Sequence, residues 1–316
     1  MQALILLALI AGASAEAVSS KIVNPGQGPL IHSPEDGKPD AEGEVFEGDM
    51  LMPKGHEGQV RNAITNPDLK WPKVNGFVEV PYVVDDGMNK RAIEAIAGAI
   101  RDYAKYTCVH FRPKRGNEYH ARFFTGNGCY SYVGSQAKQY WFKRDGLQKI
   151  SIGHGCEYKG TAIHEMMHAL GFHHEQSRPD RDQYLEIRTE NIQDGHEHNF
   201  KKCTECTTQN LPYDYASVMH YGGDFFTKNG QPTMVPRQRG AKIGNREGFT
   251  EMDIKKVNKL YQCDSSKIGK TDGIVVPTGG VCTDTFSNCG DYVNDCNGYN
   301  AEYFGKYCPV TCGKPC

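Results

Sequence analysis

The sequence lacks several features that would each assign it to a class of protein. Lysine and arginine number 36 against 38 aspartates and glutamates, so no basic excess indicates a nucleic-acid partner. After the N-terminal segment, no run reaches the roughly 18 consecutive apolar residues that a transmembrane helix needs. No internal repeat and no Asn-x-Ser/Thr glycosylation acceptor occur. What remains is a chain of 316 residues, a length that predicts about two globular units.

The first residues predict an export signal. Residues 1–15, MQALILLALIAGASA, form an apolar run that ends in the small-x-small pattern of a signal-peptidase site. No basic residue precedes the run, and the alternative is a buried N-terminal helix. We expect cleavage before Glu16 and a secreted, extracellular mature protein.

The 12 cysteines fall into two groups, and their even number suits an oxidising compartment. The spread-out group consists of Cys108, Cys129, Cys156, Cys203, Cys206 and Cys263. The crowded group consists of Cys282, Cys289, Cys296, Cys308, Cys312 and Cys316. So many cysteines in so short a terminal segment hold a fold by disulfides rather than by an apolar core. The sequence therefore predicts two kinds of domain.

Between these ends the pattern predicts an α+β fold. Residues 16–61 are rich in Gly, Pro and acidic residues and read as a loosely structured leader. A helix is predicted around residues 89–107, where apolar residues share one face, and strands are predicted within 76–84, 121–134 and 147–153. A shorter helix is predicted near the stretch EMDIKKVNKLYQC. Residues 264–281 have the composition of a linker.

The segment HEMMHALGFHH, which begins at His164, has the spacing of a metal site. On a helix His164 and His168 lie on one face, and both imidazoles reach one ion. Glu165 is placed to accept a proton from a water at the metal's open position. Gly171 would end the helix in a left-handed conformation and turn the chain, so that His174 approaches as a third ligand.

The alternative is a helix whose histidines are surface polar residues, but HExxHxxGxxH is far more specific than HExxH alone. Three further histidines are expected to be solvated or hydrogen-bonded rather than ligands: His154, His173 and His220.

The extended pattern resembles the metzincin signature. Its continuation HHEQSRPDRD and the later SVMHY, residues 217–221, resemble the astacin family of secreted zinc endopeptidases. The resemblance implies a two-lobed α+β protease with a mostly parallel sheet, two helices in the first lobe and an irregular second lobe. It also implies one Zn²⁺ per chain held by the three motif histidines, Glu165 as general base, and protein or peptide substrates, extracellular matrix among them.

The resemblance assigns roles to two residues of SVMHY. Met219 would form an apolar floor beneath the metal. Tyr221 would be an additional, weak metal ligand that swings away to hydrogen-bond the oxyanion during catalysis, a form of charge stabilisation. Taken alone, a Met-His-Tyr sequence indicates ordinary packing.

The resemblance also implies synthesis as a zymogen. The stretch FEGD, residues 46–49, is similar to the FxGD motif of astacin pro-segments, which makes Asp49 the metal ligand of the latent form and residues 16–61 the pro-segment. Taken alone, FEGD indicates an acidic turn. The bond between Arg61 and Asn62 offers an activating protease a basic cleavage site. The protease domain would then span 62–263, with the new α-ammonium of Asn62 buried near Glu175.

In this family two disulfides join the first cysteine to the last and the middle pair to each other. Carried over, these are Cys108–Cys263 and Cys129–Cys156. A local bond between Cys203 and Cys206 is our preferred interpretation of their CxxC spacing, with redox chemistry or metal binding as alternatives.

The terminal segment 282–316 resembles the ShK toxin-like module. That resemblance implies the pairs Cys282–Cys316, Cys289–Cys308 and Cys296–Cys312. Channel-blocking members carry Lys-Tyr where this sequence has Glu302 and Tyr303, so we favour a binding or targeting accessory of unknown ligand over a channel toxin.

Specificity is predicted from the stretch KIGNREGFTEMD. It resembles the place where several family members put an arginine in the S1′ pocket, which favours acidic residues after the scissile bond. Arg246 matches, and a solvated surface arginine is the alternative. Two other functions stay open: a non-catalytic secreted binding protein, and a venom component that acts through the terminal module.

Overall fold

The computed structural model describes residues 44–52, 64, 66–138, 147–203 and 207–278. The predicted signal peptide, the bond between Arg61 and Asn62, Cys206 and the module 282–316 lie outside the described residues. Within the described ranges, no helix has both the length and the apolar character needed to cross a membrane.

An eight-stranded mixed sheet forms the frame of the fold. Its order is β1-β2-β7-β8-β6-β4-β3, with β5 also paired to β4. The strands are β1 (Glu44–Phe46), β2 (Met50–Met52), β3 (Lys73–Val74), β4 (Phe77–Val84), β5 (Val109–Pro113), β6 (His120–Phe124), β7 (Cys129–Tyr132) and β8 (Leu147–Ile152). The β4–β5, β4–β6 and β6–β8 pairs are parallel, whereas β7 runs antiparallel to β8. The predicted strands are therefore present, and the central pairs are parallel.

Helix α1 (Lys90–Tyr106) packs against β5 and against the next helix. Its apolar face is buried, including Ile93, Ile96 and Ile100. The side chain of Asn89 accepts a hydrogen bond from the Ala92 amide and so caps the first turn. The apolar periodicity of this segment predicted the helix correctly, because the buried face follows the 3.6-residue period.

Helix α2 (Lys159–Ala169) lies against β7 and β8 and carries the first two motif histidines. From Gly160 onward all of its residues are buried. Gly171 follows the helix with φ of +103°, and a Cβ there would lie 2.4 Å from the side chain of Ile64. Glycine thus ends α2 in the left-handed conformation that the sequence predicted.

The second half of the described chain is mostly irregular. It holds one antiparallel pair, β9 (Leu185–Ile187) with β10 (Met234–Pro236), and helix α3 (Glu251–Leu260). An aromatic cluster separate from the main core fills this region. The helix begins at a capping box in which Thr250 and Asp253 bond each other's backbone amides.

One disulfide joins the two halves of the described chain, and a second lies within the first half. Cys108, just before β5, is bonded to Cys263, just after α3, and Cys129 of β7 is bonded to Cys156 before α2. These are the pairs that the family resemblance implies. Cys203 is also disulfide-bonded, whereas its predicted partner lies outside the described residues.

Two expectations about irregular segments differ from the structure. In the leader, residues 44–52 are not loosely structured but form a hairpin whose second strand pairs parallel to β7, with Met50 and Leu51 fully buried. Strands of three residues carry no recognisable periodicity, and their order comes from pairing with a distant strand. The described part of the predicted linker also packs on the domain, since the Tyr82 hydroxyl donates to the Val275 carbonyl and Ile274 lies against the core.

Candidate active site

Three histidines and one aspartate converge in the interior. The Nε2 atoms of His164 and His168, one turn apart on α2, are 3.0 Å from each other. Asp49 Oδ2 lies 3.1 Å from His164 Nε2, and Asp49 Oδ1 lies 3.0 Å from His174 Nε2. All four side chains are buried, and their ligand atoms lie within 4.8 Å of one another. Across the described ranges, this is the one group of His, Cys, Asp and Glu that could hold a metal ion.

The histidine rings are oriented by hydrogen bonds at their other nitrogens. Each Nδ1 has an oxygen acceptor at 2.7 Å: the Val218 carbonyl for His164, the Phe172 carbonyl for His168 and the Glu47 carboxylate for His174. A proton on Nδ1 leaves a lone pair on Nε2, so these bonds turn three ligand atoms toward one point. Three imidazole nitrogens beside a carboxylate are a donor set that suits zinc. The residues therefore fit one zinc ion.

Charge also concentrates at this point. Burial opposes ionisation of Asp49, but His174 and hydrogen bonds from all three histidines outweigh it and hold the pKa of Asp49 well below its usual value. Burial lowers the pKa of His174, whereas Asp49 and Glu47 together raise it to about 9. The pocket thus favours an ionised carboxylate among the rings, as a cation site requires.

Glu165 follows the first ligand histidine and is buried. Neither of its carboxylate oxygens has a hydrogen-bond partner among the described residues. Burial, and then the charge of Asp49, raise the pKa of Glu165 well above its usual value, while Arg246 acts in the opposite direction. An unpaired buried carboxyl group is costly, and such groups with displaced pKa values concentrate at functional sites.

Residues 217–221 form a turn beneath the histidines, and Asp253 holds that turn in place. The Asp253 carboxylate accepts hydrogen bonds from the Ser217 hydroxyl at 2.6 Å and from the Val218 amide at 2.9 Å. Met219 is buried in the main core. We did not predict this role of Asp253 from the sequence, although the spacing Thr-x-x-Asp in TEMD is a capping-box signal. That signal predicts the start of α3 but not the contact with the turn.

Tyr221 lies beside the third histidine. Its ring centroid is 4.5 Å from that of His174, and its hydroxyl donates to the backbone carbonyl of Glu47. The structure therefore brings the tyrosine of SVMHY to the metal group and joins it to the predicted pro-segment.

Glu175, next in sequence to His174, has several partners. Its Oε2 lies 2.6 Å from Lys256 Nζ, and its Oε1 accepts from Arg178 Nη1 at 3.2 Å and from the Asp214 amide at 2.9 Å. From the family resemblance we expected the new α-ammonium to be the partner of this buried carboxylate. In the uncut chain, Lys256 and Arg178 compensate its charge. The contact with the α-ammonium stays a prediction, because Asn62 lies outside the described residues.

A small cavity opens beside Glu175. His173, Gln209 and Met219 are among the residues that line it. His173 is buried rather than solvated, and its Nδ1 has no hydrogen-bond partner within the described part of the chain. As expected, it is not a member of the metal group.

Arg246 is 5% exposed, so the solvated-arginine alternative is wrong. Its Nη1 donates to three backbone carbonyls, those of Val218, His220 and Asn245. Nε and Nη2 have no partner among the described residues. Burial lowers the pKa of Arg246 to about 10, although Asp49 and then Glu165 counteract that effect. Arg246 is thus buried with two nitrogens unpaired among the described residues, and it shares the Val218 carbonyl as an acceptor with Nδ1 of His164.

Comparison with known proteins matches two parts of the chain to two protein families. The family model for Astacin, a peptidase family, matches residues 63–262, and one for ShK domain-like sequences matches residues 281–314. Zinc metalloproteinase nas-15 of Caenorhabditis elegans is 41% identical over 213 residues, which are 66% of this chain and 35% of that protein. The chain thus spans about a third of the length of that relative.

Two further comparisons cover more of the other chain. Zinc metalloproteinase nas-4 of Caenorhabditis elegans is 38% identical over 232 residues, 70% of each protein. High choriolytic enzyme 1, a hatching enzyme zinc-protease from Oryzias latipes, superposes with a TM-score of 0.58 at 38% identity and covers 64% of this chain and 100% of that one. The predicted astacin-like α+β fold is confirmed by this match. With its motif histidines gathered at one buried point, this chain belongs to the astacin family of peptidases.

Proposed function

We propose that the chain is a secreted zinc endopeptidase, made as a zymogen, that hydrolyses peptide bonds of protein substrates. The observation that carries the proposal is the convergence of His164, His168 and His174 beside the unpaired Glu165. Zinc, when bound, supplies Lewis-acid polarisation of a carbonyl and lowers the pKa of a water to about 7. The similarity to zinc metalloproteinases supports this choice of metal.

Glu165 acts as the general base in this proposal. It takes a proton from the water whose oxygen attacks the scissile carbonyl carbon, and it passes that proton to the amine nitrogen as the C–N bond breaks. Burial raises its pKa above the usual value, which makes the carboxylate a stronger base toward the proton of the water. No other contact in the described chain competes for its oxygens.

Tyr221 donates to the oxyanion that develops on the attacked carbonyl. Its ring lies beside His174, and its hydroxyl now donates to the backbone carbonyl of Glu47, a residue of the pro-segment. When the pro-segment leaves, that donor becomes available to substrate, a pre-positioned contact of the kind that stabilises developing charge.

Latency rests on Asp49. Its carboxylate stands among the three Nε2 atoms and would be a fourth zinc ligand, in the place that the attacking water needs. Strand β2 also covers the edge of β7, where an extended peptide could otherwise add to the sheet. Both effects keep substrate out until residues 16–61 are removed.

Activation follows a cut between Arg61 and Asn62 by a protease that accepts a basic residue. The Ile64 amide donates to the Gly171 carbonyl, which holds the chain beside the end of α2, two residues after the proposed new terminus. From there the α-ammonium of Asn62 would approach Glu175. It would join Lys256 and Arg178 around that carboxylate rather than supply its first counter-charge.

Arg246 sets a preference for acidic residues at P1′. Two of its guanidinium nitrogens have no partner in the described ranges, although the side chain is buried. Its Nη1 donates to the Val218 carbonyl, which also accepts from Nδ1 of His164. A substrate carboxylate would satisfy both donors in the bidentate geometry that arginine favours. Proteins of the extracellular matrix are one proposed class of substrate.

The C-terminal module serves as a binding or targeting accessory for an unknown ligand. The apolar run at residues 1–15 and the disulfides of the protease domain support secretion. A second candidate function, a non-catalytic secreted or venom binding protein that acts through this module, takes its support from the ShK-like match. The placement of Glu165 favours the enzyme, because a structural zinc site has no use for it.

The test is hydrolysis of gelatin by the refolded chain that starts at Asn62, beside its Glu165→Ala variant, with zinc measured in both. We expect zinc in both proteins and cleavage only by the parent. If both proteins bind zinc but neither cleaves gelatin or a peptide library, the protease proposal fails, and the terminal module becomes the functional part of the chain.

A further inference from the structure

One of the three ligand histidines differs from the others in its hydrogen-bond partner. The Nδ1 atoms of His164 and His168 donate to backbone carbonyls within the protease domain. The Nδ1 of His174 instead lies 2.7 Å from Oε2 of Glu47, in the predicted pro-segment. The partner of the third ligand is therefore lost when the pro-segment is cut away, whereas the partners of the other two stay.

Glu47 is held firmly in this position. It is buried, and its Oε1 accepts a hydrogen bond from the Ser177 hydroxyl at 2.7 Å. Its backbone carbonyl accepts from the hydroxyl of Tyr221. Its φ of +46° is a left-handed conformation that residues other than glycine rarely adopt, and such conformations persist where the surroundings over-determine them.

The position between Phe46 and Gly48 in FEGD was not assigned a role by the sequence. An acidic turn needs no particular contact from this glutamate, yet one carboxylate oxygen reaches the third ligand itself and the other reaches Ser177, three residues further along the chain. A carboxylate on the second nitrogen of a ligand histidine fixes the tautomer and makes the metal-binding nitrogen more basic.

We propose that Glu47, a residue of the pro-segment, is a positioning residue for the metal site. It orients His174 so that Nε2 faces the zinc ion, and it thereby strengthens zinc binding in the latent form. The inference rests on the proposed zymogen function. Asp49 blocks the site by direct ligation, whereas Glu47 acts through His174. Removal of the pro-segment therefore withdraws a direct ligand and weakens a remaining one.

The experiment measures equilibrium zinc affinity of the intact chain by competition with a chromophoric chelator. The variants are Glu47→Gln, Glu47→Ala and Asp49→Ala, and Glu186→Gln is the control because that glutamate is exposed on β9 and its carboxylate pairs with Arg188. Loss of such a partner costs about 10–100-fold in metal affinity. We expect both Glu47 variants to show that loss, with Glu186→Gln unchanged.

Cobalt substitution supplies a readout that a merely structural role would not change. Because His174 changes its orientation and basicity, the visible ligand-field bands of the Co²⁺ protein should shift in Glu47→Gln. If that variant does not fold, Asp49→Ala replaces it. That variant keeps Glu47 and should hold zinc more tightly than the chain that starts at Asn62.

The outcomes separate the two proposals. Unchanged zinc affinity and an unchanged cobalt spectrum in both Glu47 variants would overturn the role of Glu47, while a loss in Asp49→Ala would still support the latent zinc site. If the unmodified chain binds no zinc at this site, the proposed function itself fails.

Discussion

Replacement of Lys256 by methionine tests how much the buried ion pair between Lys256 and Glu175 contributes to the free energy of unfolding. Lys256 Nζ lies 2.6 Å from Glu175 Oε2, with side-chain exposures of 8% and 3%. Removal of one partner from a buried pair costs about 3–5 kcal/mol, because the other charge stays buried without compensation. Arg178 and the Asp214 amide remain on the other oxygen. We therefore expect a loss near the lower end of that range, about 3 kcal/mol.

The assay is urea unfolding of the zinc-loaded intact chain with its disulfides oxidised. Trp71 is a suitable fluorescent probe, because it is buried and its indole donates to the Ala169 carbonyl at the end of α2. The matched control is Lys255→Met on the same helix. Lys255 is 59% exposed and lies 3.9 Å from Glu251, so its loss should cost less than about 1 kcal/mol.

A double-mutant cycle with Glu175→Gln tests the cause. If the cost is that of an unpaired buried charge, the double variant should be destabilised by less than the sum of the single variants. Additive losses, or equal effects of Lys256→Met and Lys255→Met, would refute the reasoning.

Three further variants test the site and the disulfides. Asp49→Ala should give the uncut chain measurable peptidase activity, because the carboxylate that blocks the metal site is removed. If the uncut variant is inactive and becomes active only after cleavage, latency depends on the hairpin of residues 44–52 and not on Asp49. Arg246→Ala should lower kcat/KM for peptides with Asp at P1′, and this loss should be at least about tenfold larger than the loss for peptides with Ala at P1′, because the variant lacks a charge-assisted bidentate contact. An equal loss for both kinds of peptide would contradict the role of Arg246 in specificity. Cys108→Ser with Cys263→Ser should lower the free energy of unfolding by about 3–5 kcal/mol on the chain-entropy model, and an unchanged urea midpoint would contradict it.

The sequence predicted those parts of the site that lie close together in the chain. His164, Glu165 and His168 share one helix, and Gly171 ends that helix where the spacing requires it. Such short-range patterns predict position because helix geometry alone determines which side chains share a face.

Contacts between distant segments could not be predicted from local patterns. Nothing near Lys256 indicates that it meets Glu175, 81 positions earlier. The burial of Arg246 likewise depends on a close approach to α2, where a Cβ on Gly160 would lie 1.8 Å from the Arg246 carbonyl oxygen. The segment of Glu47 indicates a turn, and the role of this residue depends on a hairpin that pairs with the distant strand β7. These placements come from tertiary packing.

The most direct test of the proposed metal centre is anomalous diffraction at the zinc edge from crystals of the intact chain. We predict one zinc ion bound by Nε2 of His164, His168 and His174, with a carboxylate oxygen of Asp49 as the fourth ligand. A zinc ion bound elsewhere, or one at the three histidines with Asp49 outside its coordination sphere, would contradict that prediction.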